Sequence, residues 1–536
     1  MARFVRIVAL FTLLTAIMTW PQAARLGDAA HEHQDVYFNM WRFAWVAHAL
    51  STSPARLFDG NIFYPERRTL TYSDAMPVES FVAAPLLWAG ARPMLVHNIM
   101  LLAGIVFSGA GIFVLARSLT GSSAAGVTAG VVFAFAPYRF EHYMHMELQW
   151  TVWIPWAFWA VHRALDTGER RYGAAAGVFV ALQLLSSIYY GVFLATLLGL
   201  TVLLLLCGLR RDRLKKGFVA LLVGGVLSIA LIGPYAMLYL TTREHVGERS
   251  EDQVNMFSAH ARNYTIATED NYLYGAASAR AGRPERRLFP GILPVLLAVV
   301  GLLLVRSSNE TLVYLVALVA AFEMSLGMRG HSYAFLYHHV PIFSGLRAPA
   351  RFGVFVLFFL ALLAAYGQAA IEKALPRAWR KLLAAAICAV LMLEYWVAPL
   401  RLVPYTNVAP PLYAWLARQH PGVIAELPIP HPEALPGAEA RYAYMSTFHW
   451  MPMVNGYSGY YPPSYLDQLN RLRHFPATPS IAALWRTGVR YVIVHTYLYS
   501  PDEARAVLSE LAANPSLAEL GHFSDGQGDA VIYRLR

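Results

Sequence analysis

Long apolar runs, each closed by a polar or basic turn, recur through about the first 400 residues at the length a bilayer crossing requires. Ile7–Trp20 reads as a retained first helix; the alternative is a signal peptide cleaved after the QAA that follows Pro21. Leu95–Ala116, Leu119–Ala136 and Trp150–Ala164 follow. Ala174–Leu206 is too long for one crossing and is divided at Ser186–Gly191. Gly217–Leu240, Pro290–Val305, Thr311–Leu326, Arg351–Ile371 and Leu382–Leu400 complete about eleven spans. Two stretches are too polar to cross and become large outer loops, at 23–93 and 241–288. Within the first, Val36–Ala49 carries an aromatic face and Pro77–Gly90 is a short apolar piece, and both suit helices lying in the membrane interface.

After Arg401 the pattern changes to prolines, charges and short alternations. Val423–Leu427, Arg490–His495 and Asp529–Leu535 read as strands, and Asp502–Ala513 as an amphipathic helix. The expected fold is therefore an all-α polytopic membrane domain over 1–400, with a small extracytoplasmic α/β domain over 401–536.

Composition agrees: 57% hydrophobic residues, 14% charged and a mean hydropathy of +0.42. A net charge of +10 would point a soluble protein toward nucleic acid. Here Lys215, Lys216, Lys373 and Lys381 all fall in two short turns, RRDRLKK and EKALPRAWRK, which the positive-inside rule places in the cytoplasm. Nucleic acid is thereby excluded as a partner, the N-terminus is expected inside, and the C-terminal domain outside. Cys207 and Cys388 lie in apolar segments and form neither a disulfide framework nor a zinc motif.

Candidate chemistry collects on the outer side. His31, His33 and Asp35 alternate immediately after the first helix, just before the aromatic interfacial run. Imidazole with carboxylate suits a divalent metal such as Mg or Mn, and a carboxylate alone suits a general base; the structural alternative is a solvated loop. The second cluster is Arg139–Trp150, with His142 and His145 at helical i, i+3 spacing and Glu147 beyond them. His33, His145 and Glu147 are the metal-ligand candidates, and snorkelling side chains at an interfacial turn are the alternative. Trp150, Trp153, Trp156 and Trp159 run into the bilayer and read as packing, with Trp150 alone near enough to the surface for sugar stacking. The third cluster holds Arg347 and Arg351, against the positive-inside trend, as phosphate-recognising guanidiniums or headgroup anchors. Glu323, near the outer end of a span, is a candidate because ionisable residues there usually serve function; Glu394 is similar but nearer the interface. No Walker loop, GxSxG elbow or HExxH motif occurs.

The layout resembles the GT-C superfamily of integral-membrane glycosyltransferases. The runs NIFYPERRTLTYSD from Asn61, PYRFEHYMHMELQW from Pro137, FSGLRAPARF from Phe343 and NGYSGYYPPSY from Asn455 are similar to a group of bacterial multi-pass proteins classed with them. The resemblance implies a transferase of the bacterial inner membrane that takes a hexose or pentose from a polyprenyl-phosphate-linked donor. Asp35 stands where those enzymes carry the catalytic acid of the first loop, and His145–Glu147 where many carry a second acidic motif. Arg139, His142, His145, Glu147, Arg347, Arg351 and Glu323 are then substrate-binding candidates, and the acceptor is a glycan, lipid or protein. The first loop lacks a tandem DxD or ED pair, so metal dependence does not carry over. Two rivals remain open: a transporter or flippase of a lipid-linked saccharide, and a non-catalytic scaffold whose C-terminal domain binds saccharide through Tyr457–Tyr465. No paired broken helices of the transporter kind are found.

Overall fold

The computed structural model describes residues 2–208, 211–279, 283–305 and 309–536, without the side chains of 211–213. Part of the expected inner turn RRDRLKK and the turn at 306–308 lie outside the described residues. The chain forms two compact units. The first comprises Met1–Ala24, Ile99–Met237 and Glu248–Arg401; the second comprises Arg25–Asn98, Leu238–Gly247 and Leu402–Arg536.

The first unit is helical. Among the described residues four helices are long and apolar enough to cross a membrane: Pro93–Thr120, Ile188–Cys207, Leu214–Val246 and Pro349–Ala374. Ile292–Leu304 is apolar but shorter. The chain breaks at Ser187, between helices Arg170–Ser186 and Ile188–Cys207. The Ser187 hydroxyl caps the second of these helices by accepting from the Tyr190 N–H.

The apolar spans divide by environment. Pro349–Ala374 is 89% buried and forms the unit's core, where Phe358 meets Phe133 at 5.6 Å and Phe158 at 4.8 Å between ring centroids. Leu214–Val246 is only 22% buried and turns its apolar side chains outward, as a lipid-facing helix does. That helix is held by close backbone approach. A Cβ on Gly173 would meet Ala220 O at 1.8 Å, and one on Gly177 would meet Gly224 O at 2.0 Å. Such small-residue contacts substitute for the hydrophobic drive that lipid cannot supply.

The second unit joins the loop at 25–98 to the C-terminal region. Strand β1 (Ala29–His31) pairs antiparallel with β2 (Leu402–Pro404). Strands β3 (Val423–Leu427), β4 (Val489–His495), β5 (Leu517–Ser524) and β6 (Asp529–Leu535) form a four-stranded sheet of order β3-β4-β6-β5. Only the β3–β4 pair is parallel. Its crossover contains helices Glu439–Met445, Pro463–Leu472 and Thr478–Arg486, as a parallel connection requires. Leu427, Leu484, Val492 and Val531 fill the core of this sheet. The first loop adds two helices, Gln34–Thr52 and Pro77–Trp88. The second exposes Phe81, Val82 and Trp88, the apolar face expected of an interfacial element.

Candidate active site

Asp35 sits in the first turn of helix Gln34–Thr52. An acidic side chain is favoured there by the helix dipole, and the His33 ring caps the same turn by accepting from the Asp35 N–H at 3.1 Å. The carboxylate is largely sheltered, with 15% of the side chain exposed, and His33 Nδ1 lies 3.9 Å from its Oδ2. Its Oδ1 accepts a hydrogen bond from the Tyr457 hydroxyl. Tyr457 in turn packs edge-on against Phe38, one helical turn beyond Asp35, at 5.1 Å. Sequence reading had placed Tyr457 on an aromatic surface. The structure instead makes it a partner of the carboxylate, contributed from 422 residues away.

Asn455, in the same run, fastens that loop. It donates to Glu426 O at 2.9 Å and accepts from Glu426 N at 2.7 Å. The Gly456 N–H donates to Glu439 at 2.8 Å.

In the first unit, PYRFEHYMHMELQ is not one helix. Pro137–Glu141 and Met146–Gln149 are short helices separated by His142–His145, so the i, i+3 histidine face does not form. The two imidazoles nevertheless lie 5.6 Å apart. The break is held reciprocally. Arg139 donates to Leu148 O and Gln149 O at 2.9 and 2.8 Å, and Gln149 donates to Arg139 O and His142 O at 2.9 and 2.7 Å. The Arg139 guanidinium is thus engaged by backbone carbonyls of its own segment.

Around His142 the structure assembles an electrostatic cluster with a member that sequence reading missed. Glu285, from the run RPERR, forms an ion pair with Arg351 at 2.6 Å and lies 3.6 Å from His142 Nε2. Burial penalises the Glu285 charge, but the adjoining Arg351, with His142 and His145, outweighs that and holds the carboxyl well below its usual range. Burial drives His142 down to about 3, so the imidazole is neutral, and neither ring nitrogen makes a hydrogen bond. Glu147 adds a further negative field at Arg351. Nothing in the sequence distinguishes Glu285 from its neighbours, since its role depends on a loop folding back onto the entrance of a span. Arg347 has no carboxylate partner among the described residues. Its guanidinium lies 5.3 Å from the Phe257 ring centre, and the Arg347 backbone N–H donates to the Tyr189 hydroxyl at 2.9 Å.

Glu323 serves the backbone. Its Oε1 accepts from the His331 N–H and, at 3.0 Å, from the Ser332 N–H, at the start of helix Ser332–His339. Glu394 repeats the device, accepting from Ile292 N at 2.5 Å and Leu293 N at 3.3 Å at the head of Ile292–Leu304. Among the described residues no group of three or more His, Cys, Asp or Glu side chains is placed to hold a metal ion.

The fold is similar to that of a solved oligosaccharyltransferase. The archaeal oligosaccharyltransferase AglB from Archaeoglobus fulgidus, solved with an inhibitory peptide and a dolichol-phosphate, matches 98% of this chain and 74% of its own, at a TM-score of 0.50 and 10% identity. ArnT from Cupriavidus metallidurans, in the apo state, overlaps 98% of this chain and 97% of its own, at a TM-score of 0.49 and 12% identity. No protein-family pattern and no curated protein matches the sequence.

Proposed function

We propose that the protein is an inverting glycosyltransferase of the bacterial inner membrane. It moves a hexose or pentose from a polyprenyl-phosphate donor to a glycan, lipid or protein acceptor on the outer face. The carrying observation is the Asp35 carboxylate, sheltered at a helix start and oriented by Tyr457, in the first outer loop of a GT-C fold. About eleven spans, with the N-terminus cytoplasmic and the C-terminal region outside, fit the apolar pattern and the basic turns.

In this reading Asp35 is the general base. An acceptor hydroxyl gives its proton to the carboxylate while its oxygen forms a bond to the anomeric carbon. The bond from that carbon to the phosphate oxygen breaks, and the electron pair leaves with the lipid phosphate. Cations must meet the developing phosphate charge. Of the predicted arginines, Arg351 is committed to Glu285 and Arg139 to carbonyls, whereas Arg347 has no carboxylate partner among the described residues.

The test is sugar transfer by the purified chain in liposomes supplied with polyprenyl-phosphate sugars. Asp35→Asn removes the base and is expected to lower the rate by about 10²–10⁴-fold with the melting temperature unchanged. Full activity in that variant would sink the assignment.

A further inference from the structure

We propose that Glu439 is a positioning residue for the Asp35 carboxylate: its buried, neutral carboxyl holds the segment Asn455–Tyr457 in place, and its ionisation loosens that segment. The control this gives over catalysis rests on the transferase reading of Asp35; the hold on the segment does not.

The path from Glu439 to Asp35 is short and continuous. Glu439 opens helix Glu439–Met445 and is fully buried. Asn455 Nδ2 donates to its Oε1 at 3.1 Å, and the Gly456 N–H donates to its Oε2 at 2.8 Å. The next residue is Tyr457, whose hydroxyl donates to Asp35 Oδ1. Phe63 closes the other side of the segment. Its N–H donates to Asn455 O at 2.9 Å, and a Cβ on Gly456 would meet its ring at 2.6 Å. A segment held between a carboxyl and a ring passes a change at Glu439 on to the Tyr457 backbone.

Glu439 differs from its neighbours Glu426 and Asp525 in having no cationic partner among the described residues. Glu426 and Asp525 share His495, and Asp525 also has Arg441. Two carboxylates thus balance two cations, and neither cation is left for a third acid. The titratable groups that face Glu439 are Glu426 from β3, Tyr465 from helix Pro463–Leu472 and Tyr442 from its own helix. None of them is positive, and the Glu426 charge opposes a second one. A carboxyl buried without a cation keeps its proton. Burial accordingly pushes Glu439 up to about 8, against the donors from Asn455 and Gly456.

The neutral carboxyl receives both amide donors without a charge to solvate. Once ionised it needs water, which enters by parting the segment from the carboxyl. Linkage fixes the direction. The closed segment keeps a proton that the open one gives up, so opening grows with pH from the ordinary glutamate value to about 8 and then levels.

The experiment is amide hydrogen exchange on the full chain in detergent micelles, followed across this pH range and divided by the intrinsic rate at each pH. Exchange in the peptide carrying Gly456 and Tyr457 is expected to rise about tenfold or more between about pH 6 and 8 and then level, while strand Asp529–Leu535 stays protected. Glu439→Gln, which cannot ionise, should show no such rise. In the liposome assay the parent's kcat should fall on the alkaline side with KM little changed, and Glu439→Gln and Tyr457→Phe should each lack that limb. Corrected exchange that ignores pH, or a rise that persists in Glu439→Gln, overturns the proposal. Should Glu439→Gln not fold, the parent's exchange profile decides alone. A segment that responds while the kcat profile of Glu439→Gln matches the parent's overturns the positioning role. If Asp35→Asn still transfers sugar, the transferase reading fails and exchange by itself judges the hold on Tyr457. If Asp35→Asn is inactive and exchange ignores pH, the transferase reading stands and the role of Glu439 falls.

Discussion

Two buried histidines set the protein's two units apart. His142, in the first unit, is neutral, and neither nitrogen is hydrogen-bonded, although a carboxylate lies 3.6 Å away. His495, in the second, lies between two carboxylates at 2.7 and 2.8 Å. Burial alone would lower its pKa, but Asp525 and Glu426 overcome that and raise it. The difference is one of counter-ion supply. Glu285 already has Arg351, so nothing compels His142 to charge, and its hydrogen-bonding capacity is kept in reserve. Glu426 and Asp525 need the imidazolium, and that network closes on itself.

The sharpest way to break this comparison is His495→Ala. It leaves Glu426 with only Tyr413, at 2.8 Å, among its side-chain partners, and it strips Asp525 of one of two cations. The expected loss is about 3–5 kcal/mol, read as a drop in the thermal midpoint of the detergent-solubilised protein. His142→Ala removes a neutral ring and should cost clearly less; equal losses would erase the distinction.

Next in size is Glu285→Gln, which leaves Arg351 without its ionic partner while keeping an acceptor. About 2–3 kcal/mol is expected, with a rise of the His142 pKa excluded because the neighbouring carboxylate is what favours its protonation. Histidine NMR through a pH titration checks the second part.

Glu439 sharpens the comparison through pH. Burial pushes this carboxyl up to about 8, against the hydrogen bonds from Asn455 and Gly456. A raised folded pKa contributes stability that is complete below the ordinary glutamate value and is lost as pH rises through about 8. Glu439→Gln has no such titration, so its stability relative to the parent should grow between about pH 4.5 and 8 and then level. Parallel melting curves at several pH values decide it, and a constant difference would contradict the burial argument. The smallest effect is expected from Glu394→Gln, which weakens the cap on Ile292–Leu304 by about 1 kcal/mol.

Much of the local architecture was legible in the sequence because it follows from periodicity. Strands Val423–Leu427 and Asp529–Leu535 form over the ranges their alternation indicated, and the break in the long apolar run falls at Ser187. Strand Leu517–Ser524 was not legible: LAELGHFS is half exposed and carries no clean alternation. The His142 segment was misread because its spacing suits a helix, whereas the Arg139–Gln149 exchange of hydrogen bonds pays for a break. The acidic members of spans were legible as exceptions but not in role. Glu323 caps a helix that starts nine residues further on, and Glu394 one that starts 102 residues back.

The sequence by itself determined that this chain lives in a membrane, where its basic turns fall, and that Asp35 follows the first helix into an aromatic run. These are properties of composition and order, and solvent transfer energies act on them residue by residue. Only the tertiary structure decided that the first loop and the C-terminal region build one unit, that Tyr457 reaches Asp35, and that Glu285 claims Arg351. Each of those depends on contacts between segments tens to hundreds of residues apart. No local pattern encodes which buried charge will find which partner.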